Sequence, residues 1–283
     1  MELIFFFYIF NSKTSKNVIT TIFQSLTIFI YCISFLFQPI QFYQTKTIIG
    51  YKIDFIIMNL FGYLCFFLFK FKGIFNEDIG IKETNSIDLV IIIYLILIMI
   101  ITLVLIIYYK NGNNLKIYPI VLNIIILLSF GAFLLFILES ILEKYKSEDH
   151  INFNCFIYLG LCKYIMDLIK YIPQIIFNKS EKTTIGWNIY YIIFELISII
   201  LYYLSLISEI YNNSFDILNP PKNESKLIFY SELIIPFISL IYDIIFIVQQ
   251  YLYYDSNEEY FAKYNKDKTI FLPKSTRDSE VFS

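Results

Sequence analysis

Lys163, Asp167, Lys170, Gln174 and Asn178 follow one another at intervals of three and four residues inside the apolar stretch LCKYIMDLIKYIPQIIFNK. At 3.6 residues per turn, this spacing sets all five on one face of a helix. Glu195 stands in the next apolar run with Tyr191 and Ile199 at i−4 and i+4, so it has no partner on its own helix; Asp54 and Asp243 are carboxylates in further apolar runs. A charge at bilayer depth costs roughly 2.5 to 3.5 kcal/mol, so such residues face a partner or a water-filled path. The chemistry on offer is recognition and proton exchange. Ammonium and carboxylate groups on one face suit a solute bearing both signs, with Gln174 and Asn178 bridging. A low-dielectric span disfavours the charged form of a carboxyl group, which makes Glu195, Asp54 and Asp243 the candidate proton carriers. The same spacing of Lys163, Asp167 and Lys170 also admits a plain structural ion network.

The elements that must position these residues follow from composition. Of 283 residues, 58% are hydrophobic and 20% aromatic, more apolar surface than a water-soluble domain can hide. Lipid must be the solvent for most of it. Seven runs reach the roughly 20 residues of a crossing helix: 18–38, 48–70, 89–109, 117–138, 153–177, 185–207 and 227–253. The fold expected is all-α and membrane-integral, with an apolar stub over 1–17 and a mixed-charge tail over 254–283. The net charge of −2 comes without a basic patch, which gives no footing for nucleic acid. No phosphate loop, nucleophile triad or metal-ligand spacing points to an enzyme, a metal or a bound cofactor. Cys32, Cys65, Cys155 and Cys162 read as packing thiols and His150 as a solvated loop residue.

An internal repeat arranges the spans. FQPIQFYQTKTIIGYKI at 37–53 and PQIIFNKSEKTTIGWNI at 173–189 align when Gln38 is laid on Gln174. Lys46 then meets Lys182, Gly50 meets Gly186 and Tyr51 meets Trp187. Pro39 and Pro173 each remove a backbone donor, the lysines anchor short loops at the headgroups, and the glycines permit tight re-entry. Trp187 and Tyr51 read equally well as interfacial belt residues. A duplicated bundle with an even number of crossings between copies gives two parallel three-helix bundles, 18–110 and 152–253, joined by a linker helix at 111–140. A cavity between the halves is expected.

With the repeat in hand, the chain resembles the PQ-loop transporters, and within them the lysosomal cystine/proton symporters. The resemblance rests on Lys170-Tyr171, Pro173-Gln174, Asn178, Lys182-Thr183 and Gly186-Trp187 in the second motif. Ile33-Ser34-Phe35, Gln38, Lys46, Ile49-Gly50 and Asp54-Phe55 carry it in the first, with Asn59-Leu60, Gly62, Tyr242-Asp243, Phe246 and Gln249 beyond. It implies proton-coupled export of cystine or a related amino acid from an acidic organelle, lysosome or vacuole, with protons as the coupling ion and no other cofactor. It places Glu195 where the family has its proton-coupling aspartate, and Asp54, Asp243, Lys163 and Lys170 at family charges. The chain departs from the pattern at Phe37-Gln38-Pro39, at Phe42 and at Tyr191, the last near the substrate site. A cationic amino acid or sugar carrier is the alternative within transporters, and a seven-span cargo receptor the alternative outside them. Sequons at Asn212 and Asn223 favour a lumenal loop there, hence a lumenal N-terminus and a cytosolic tail, with a third sequon at Asn178 left unmodified.

Overall fold

A computed structural model describes residues 18–75, 86–109, 117–142, 155–211 and 226–253. The N-terminal stub, the tail, His150 and the sequons at Asn212 and Asn223 lie outside the described residues. Eight helices run through the described segments: α1 Val18–Thr45, α2 Ile53–Phe75, α3 Ser86–Tyr108, α4 Pro119–Leu142, α5 Cys155–Ile169, α6 Ile172–Glu181, α7 Ile189–Tyr211 and α8 Lys226–Leu252. Six of them, all but α5 and α6, are long and apolar enough to cross a membrane. The short pair α5 and α6 together make the seventh crossing, broken in the middle. The sequence alone predicts one continuous helix there. Pro173, in the first turn of α6, cannot donate to the carbonyl of Ile169 and crowds it. The Leu168 carbonyl, one residue earlier at the break, accepts from the Tyr242 hydroxyl of α8 at 2.6 Å.

Each half is a three-helix bundle in which the third helix packs between the first and second: α3 against α1 and α2, α8 against α5 and α7. The halves meet along two equivalent seams, α1 with α7 and α2 with α5. α4 lies outside the second seam, touching α5 and α2. Most of its large apolar side chains, Phe130, Phe133 and Phe136 among them, face outward, as a lipid-facing helix requires. The core between the halves is largely aromatic, including Tyr31, Phe35, Tyr51, Phe55, Tyr63, Tyr171, Trp187, Tyr191 and Phe246.

The duplication read from sequence is visible in the backbone. α1 and α6 both end one residue before a lysine in the left-handed region, Lys46 at φ 50° and Lys182 at φ 51°. The Lys46 N–H closes on Phe42 O at 2.9 Å, and that of Lys182 on Asn178 O. Both lysines are exposed at a helix end, so each terminates its helix as well as standing at the interface. Gln38 differs from its expected place: α1 continues past Pro39 to Thr45, so this glutamine lies two turns inside the helix.

Candidate functional site

The repeated motifs build a reciprocal clamp between the halves. Gln38 Nε2 donates to Gly186 O at 3.1 Å while Gln38 Oε1 accepts from Asn188 N at 3.1 Å. Gln174 mirrors this: Nε2 donates to Gly50 O at 2.8 Å, and Oε1 accepts from Lys52 N at 2.8 Å. Each glutamine therefore holds the re-entry loop of the opposite half. The two loops touch at their glycines. A Cβ on Gly186 would lie 2.0 Å from Gly50 C, and one on Gly50, whose φ is +76°, would lie 2.9 Å from Gly186 N. Tyr51 and Trp187 stack across this contact at 5.6 Å, and Trp187 stacks on Phe246 at 4.9 Å. Both rings are buried between the halves and are not belt residues. Asn178, also fully buried, joins Gln174 at 2.8 Å and Gln249 of α8 at 3.1 Å, while Gln249 donates to Ile175 O at 3.1 Å. The face read as one polar stripe thus divides at the helix break. Its amide half belongs to this clamp.

Its charged half lies deeper. Lys163 Nζ is 2.5 and 2.6 Å from the two Asp167 oxygens, and Lys170 Nζ is 3.3 Å from Asp167 Oδ1. All three side chains are buried. Lys163 Nζ also sits 4.1 Å from the centre of the Tyr63 ring on α2, and the Tyr63 hydroxyl is 2.8 Å from that of Tyr31 on α1. The ion network admitted by the spacing is therefore present, and it faces the opposite half.

Glu195 lies about 9 Å along α7 from its start, at 1.5 Å per residue, and is buried. The partner it lacks on its own helix comes from the break: the Tyr171 hydroxyl lies 2.6 Å from both Glu195 oxygens. The Tyr191 hydroxyl is 3.4 Å from that of Tyr171. Breaking the fifth crossing at Lys170 and Tyr171 is what turns this phenol toward α7. Lys170 is within electrostatic reach of Asp167, Glu195 and Asp243, and its ammonium lies 4.8 Å from the Tyr171 ring centre. Asp243, on α8, is fully buried on this side. One layer at the junction of the halves thus gathers Lys163, Asp167, Lys170, Asp243 and Glu195 with the phenols of Tyr31, Tyr63, Tyr171 and Tyr191.

Asp54 stands apart from that layer. It opens α2, fully buried, and its Oδ1 accepts the N–H of Tyr118 at 2.8 Å, just before α4. In this structure it fastens the start of the linker to α2.

Asn59 is a residue that sequence reasoning did not single out for the site. Phe55, Asn59 and Tyr63 recur at i, i+4 and i+8 on α2, which puts Asn59 on the face toward the aromatic core between the halves. Phe55 is 5.3 Å from Tyr171 and 6.1 Å from Tyr191, ring centre to ring centre. Asn59 is buried, and neither its amide nitrogen nor its oxygen has a hydrogen-bond partner among the described residues. A buried amide left so costs about 1–3 kcal/mol per group, the mark of a side chain kept for something other than packing. The repeat held the signal: laying Gln38 on Gln174 also lays Asn59 on Glu195.

A sequence profile of the PQ loop repeat matches residues 156–215, from the start of α5 to beyond the end of α7. Along most of its length the chain is also similar to curated proteins. It is 24% identical over 269 residues to a cystinosin homolog from Caenorhabditis elegans, covering 90% of this chain and 62% of that protein. It is 21% identical over 241 residues to cystinosin from Bos taurus, covering 81% and 61%, and 22% identical over 235 residues to a cystinosin homolog from Dictyostelium discoideum, covering 78% and 76%. The chain thus spans about three-fifths of the length of the nematode and bovine relatives. Two three-helix bundles, a linker between them, the reciprocal glutamine clamp and these matches together make the chain similar to PQ-loop repeat proteins, and along most of its length to the cystinosins.

Proposed function

We propose that the chain is a transporter, not an enzyme, and that it moves cystine or a related amino acid together with protons from an acidic organelle to the cytosol by alternating access. The observation that carries the reading is the buried Glu195, held by Tyr171 at a helix break between two matched halves, with Lys170 in reach of three carboxylates. A carboxylate in that position repels other negative charge and ties α7 to the break. Proton uptake at Glu195 removes the charge and weakens its bonds to the phenol. The loaded halves are then free to rock. Lys163 and Lys170 offer cations to substrate carboxylates, Asp167 and Asp243 offer anions to substrate ammonium groups, and Asn59 offers an amide that has no hydrogen-bond partner among the described residues. Tyr191, whose hydroxyl lies 3.4 Å from that of Tyr171, stands beside the Glu195 pair and contributes to the substrate site. The orientation follows the sequon reading: loops 46–52 and 182–188 on the cytosolic side, the N-terminus lumenal, the tail cytosolic, in a lysosomal or vacuolar membrane.

A second reading draws on the charge of the layer. Two lysines facing three carboxylates leave one negative charge when all are ionised, so the same site suits a zwitterion with one proton or a singly cationic amino acid. Proteoliposomes with an acid interior decide between them. Cystine efflux driven by the pH gradient should fall by about 100-fold in Glu195→Gln, the loss of a buried charged hydrogen bond of about 3 kcal/mol. Flux that follows the gradient undiminished in this variant overturns the role of Glu195. Competition by lysine and arginine, but not glucose, supports the cationic alternative, and saturable binding without turnover marks a cargo receptor.

A further inference from the structure

The linker α4 is fastened to different halves at its two ends. At its N-terminal end, Tyr118 donates its N–H to the buried Asp54, and Lys52 Nζ lies 5.2 Å from the Tyr118 ring centre. Lys52 and Asp54 lead into α2 and belong to the first half. Toward its C-terminal end, Glu139 Oε1 accepts the N–H of Cys155 at 2.9 Å, Cys155 Sγ donates to Ala132 O at 3.4 Å, and the Tyr158 hydroxyl donates to Leu128 O at 3.3 Å. Gly131 admits that phenol, whose oxygen lies 2.4 Å from where a Cβ would stand. Cys155 and Tyr158 open α5 and belong to the second half. Both pins have the same chemistry, a carboxylate taking a backbone N–H at the start of a helix, where the ladder supplies no acceptor and the dipole favours negative charge.

Between the pins, Val121 and Leu128 join Met58 and Cys65 of α2 and Cys162 and Met166 of α5 in one apolar cluster. Beside that cluster the two seam helices approach closely: a Cβ on Gly62 would lie 3.8 Å from Lys163 Cα. Lys163 carries the buried ion network. A helix fixed to a single half would leave this seam open to lipid tails whenever the halves part at the unpinned end.

We infer that α4 is a diagonal brace, and that Asp54 and Glu139 are positioning residues that keep its two ends on different halves so that it tilts with them and shields the α2–α5 seam throughout the cycle. The pinning is a property of the fold, while the tilting rests on the transporter reading, so the two are tested separately.

Hydrogen exchange on the full chain in nanodiscs reads the pins directly. Asp54→Ala should raise exchange at Tyr118 and the first turn of α4 by tenfold or more and leave Cys155 unchanged. Glu139→Ala should do the reverse. Either variant loosening both ends, or neither loosening its own, overturns the brace. Flux with paired cysteines in a background lacking the other native thiols reads the tilting. Cross-linking Lys52→Cys to Tyr118→Cys, or Ala132→Cys to the native Cys155, should preserve at least half the flux. Cross-linking Tyr118→Cys to Phe177→Cys ties the same end of α4 to α6 and should abolish flux; the two rings flank Lys52 at 5.2 and 4.3 Å. Tolerance of all three cross-links, or loss at the first two, overturns it. Absence of flux before cross-linking counts against the transporter reading and leaves the pins to be decided by exchange.

Discussion

The two halves share a frame and differ in what they place within it. Gln38 and Gln174, Lys46 and Lys182, and Gly50 and Gly186 perform matching tasks at matching positions. In the same register, Thr27 stands opposite Lys163, Tyr31 opposite Asp167, Ser34 opposite Lys170, Phe35 opposite Tyr171, and Asn59 opposite Glu195. The first half thus offers neutral groups at five positions where the second offers four charges and a phenol. The helix course differs likewise: α1 carries Pro39 without a break, whereas the proline of the second half precedes its glutamine and splits the crossing at Lys170 and Tyr171. The symmetric residues close the clamp, and the asymmetric ones form the charged layer.

That division can be broken most forcefully at Asp167. Asp167→Asn leaves Lys163 and Lys170 buried without their shared counter-charge and should cost about 3–5 kcal/mol, read as a fall in the unfolding midpoint in detergent. Its counterpart Tyr31→Phe removes one neutral hydrogen bond to Tyr63 and should cost only about 1 kcal/mol. Equal losses would show that the charged layer is not concentrated in the second half. The clamp should behave in the opposite way. Gln38→Ala and Gln174→Ala each leave two backbone groups of the facing loop unpaired, for about 2–3 kcal/mol. Gln174 should cost somewhat more, because it also holds Asn178. A clamp in which only one of the two substitutions matters would not be reciprocal. The smallest effect belongs to the helix ends. Lys46→Gly and Lys182→Gly each relieve a left-handed residue that carries a Cβ, and should raise stability by about 1 kcal/mol and by the same amount in the two halves.

Much of the frame is legible before any coordinates. Apolar runs of about twenty residues announce the crossings, and the two loop motifs announce the duplication. The i, i+4 and i+7 spacing of Lys163, Asp167 and Lys170 fixes their common face. Other features are not legible. Pro173 signals a disturbance, but whether a proline kinks or splits a helix depends on what surrounds the break, where Tyr242 from a distant helix bonds the Leu168 carbonyl. Trp187 and Tyr51 have the composition of belt residues and prove to be stacked inside the molecule. Asp54 has the same residue type as Asp243 and sits in as apolar a run, yet it holds the linker while Asp243 lies with the charged layer.

Sequence by itself determined the solvent, the order of the helices, the presence of two copies and the face on which each charge sits, because these depend on hydropathy and on a fixed angle per residue. Only the tertiary structure decided which faces meet: that Glu195 is answered by Tyr171, that each glutamine grips the other half, and that Asn59 is left without a partner among the described residues. Those outcomes depend on how helices far apart in the chain cross one another, and no local spacing encodes the depth and rotation at which they do.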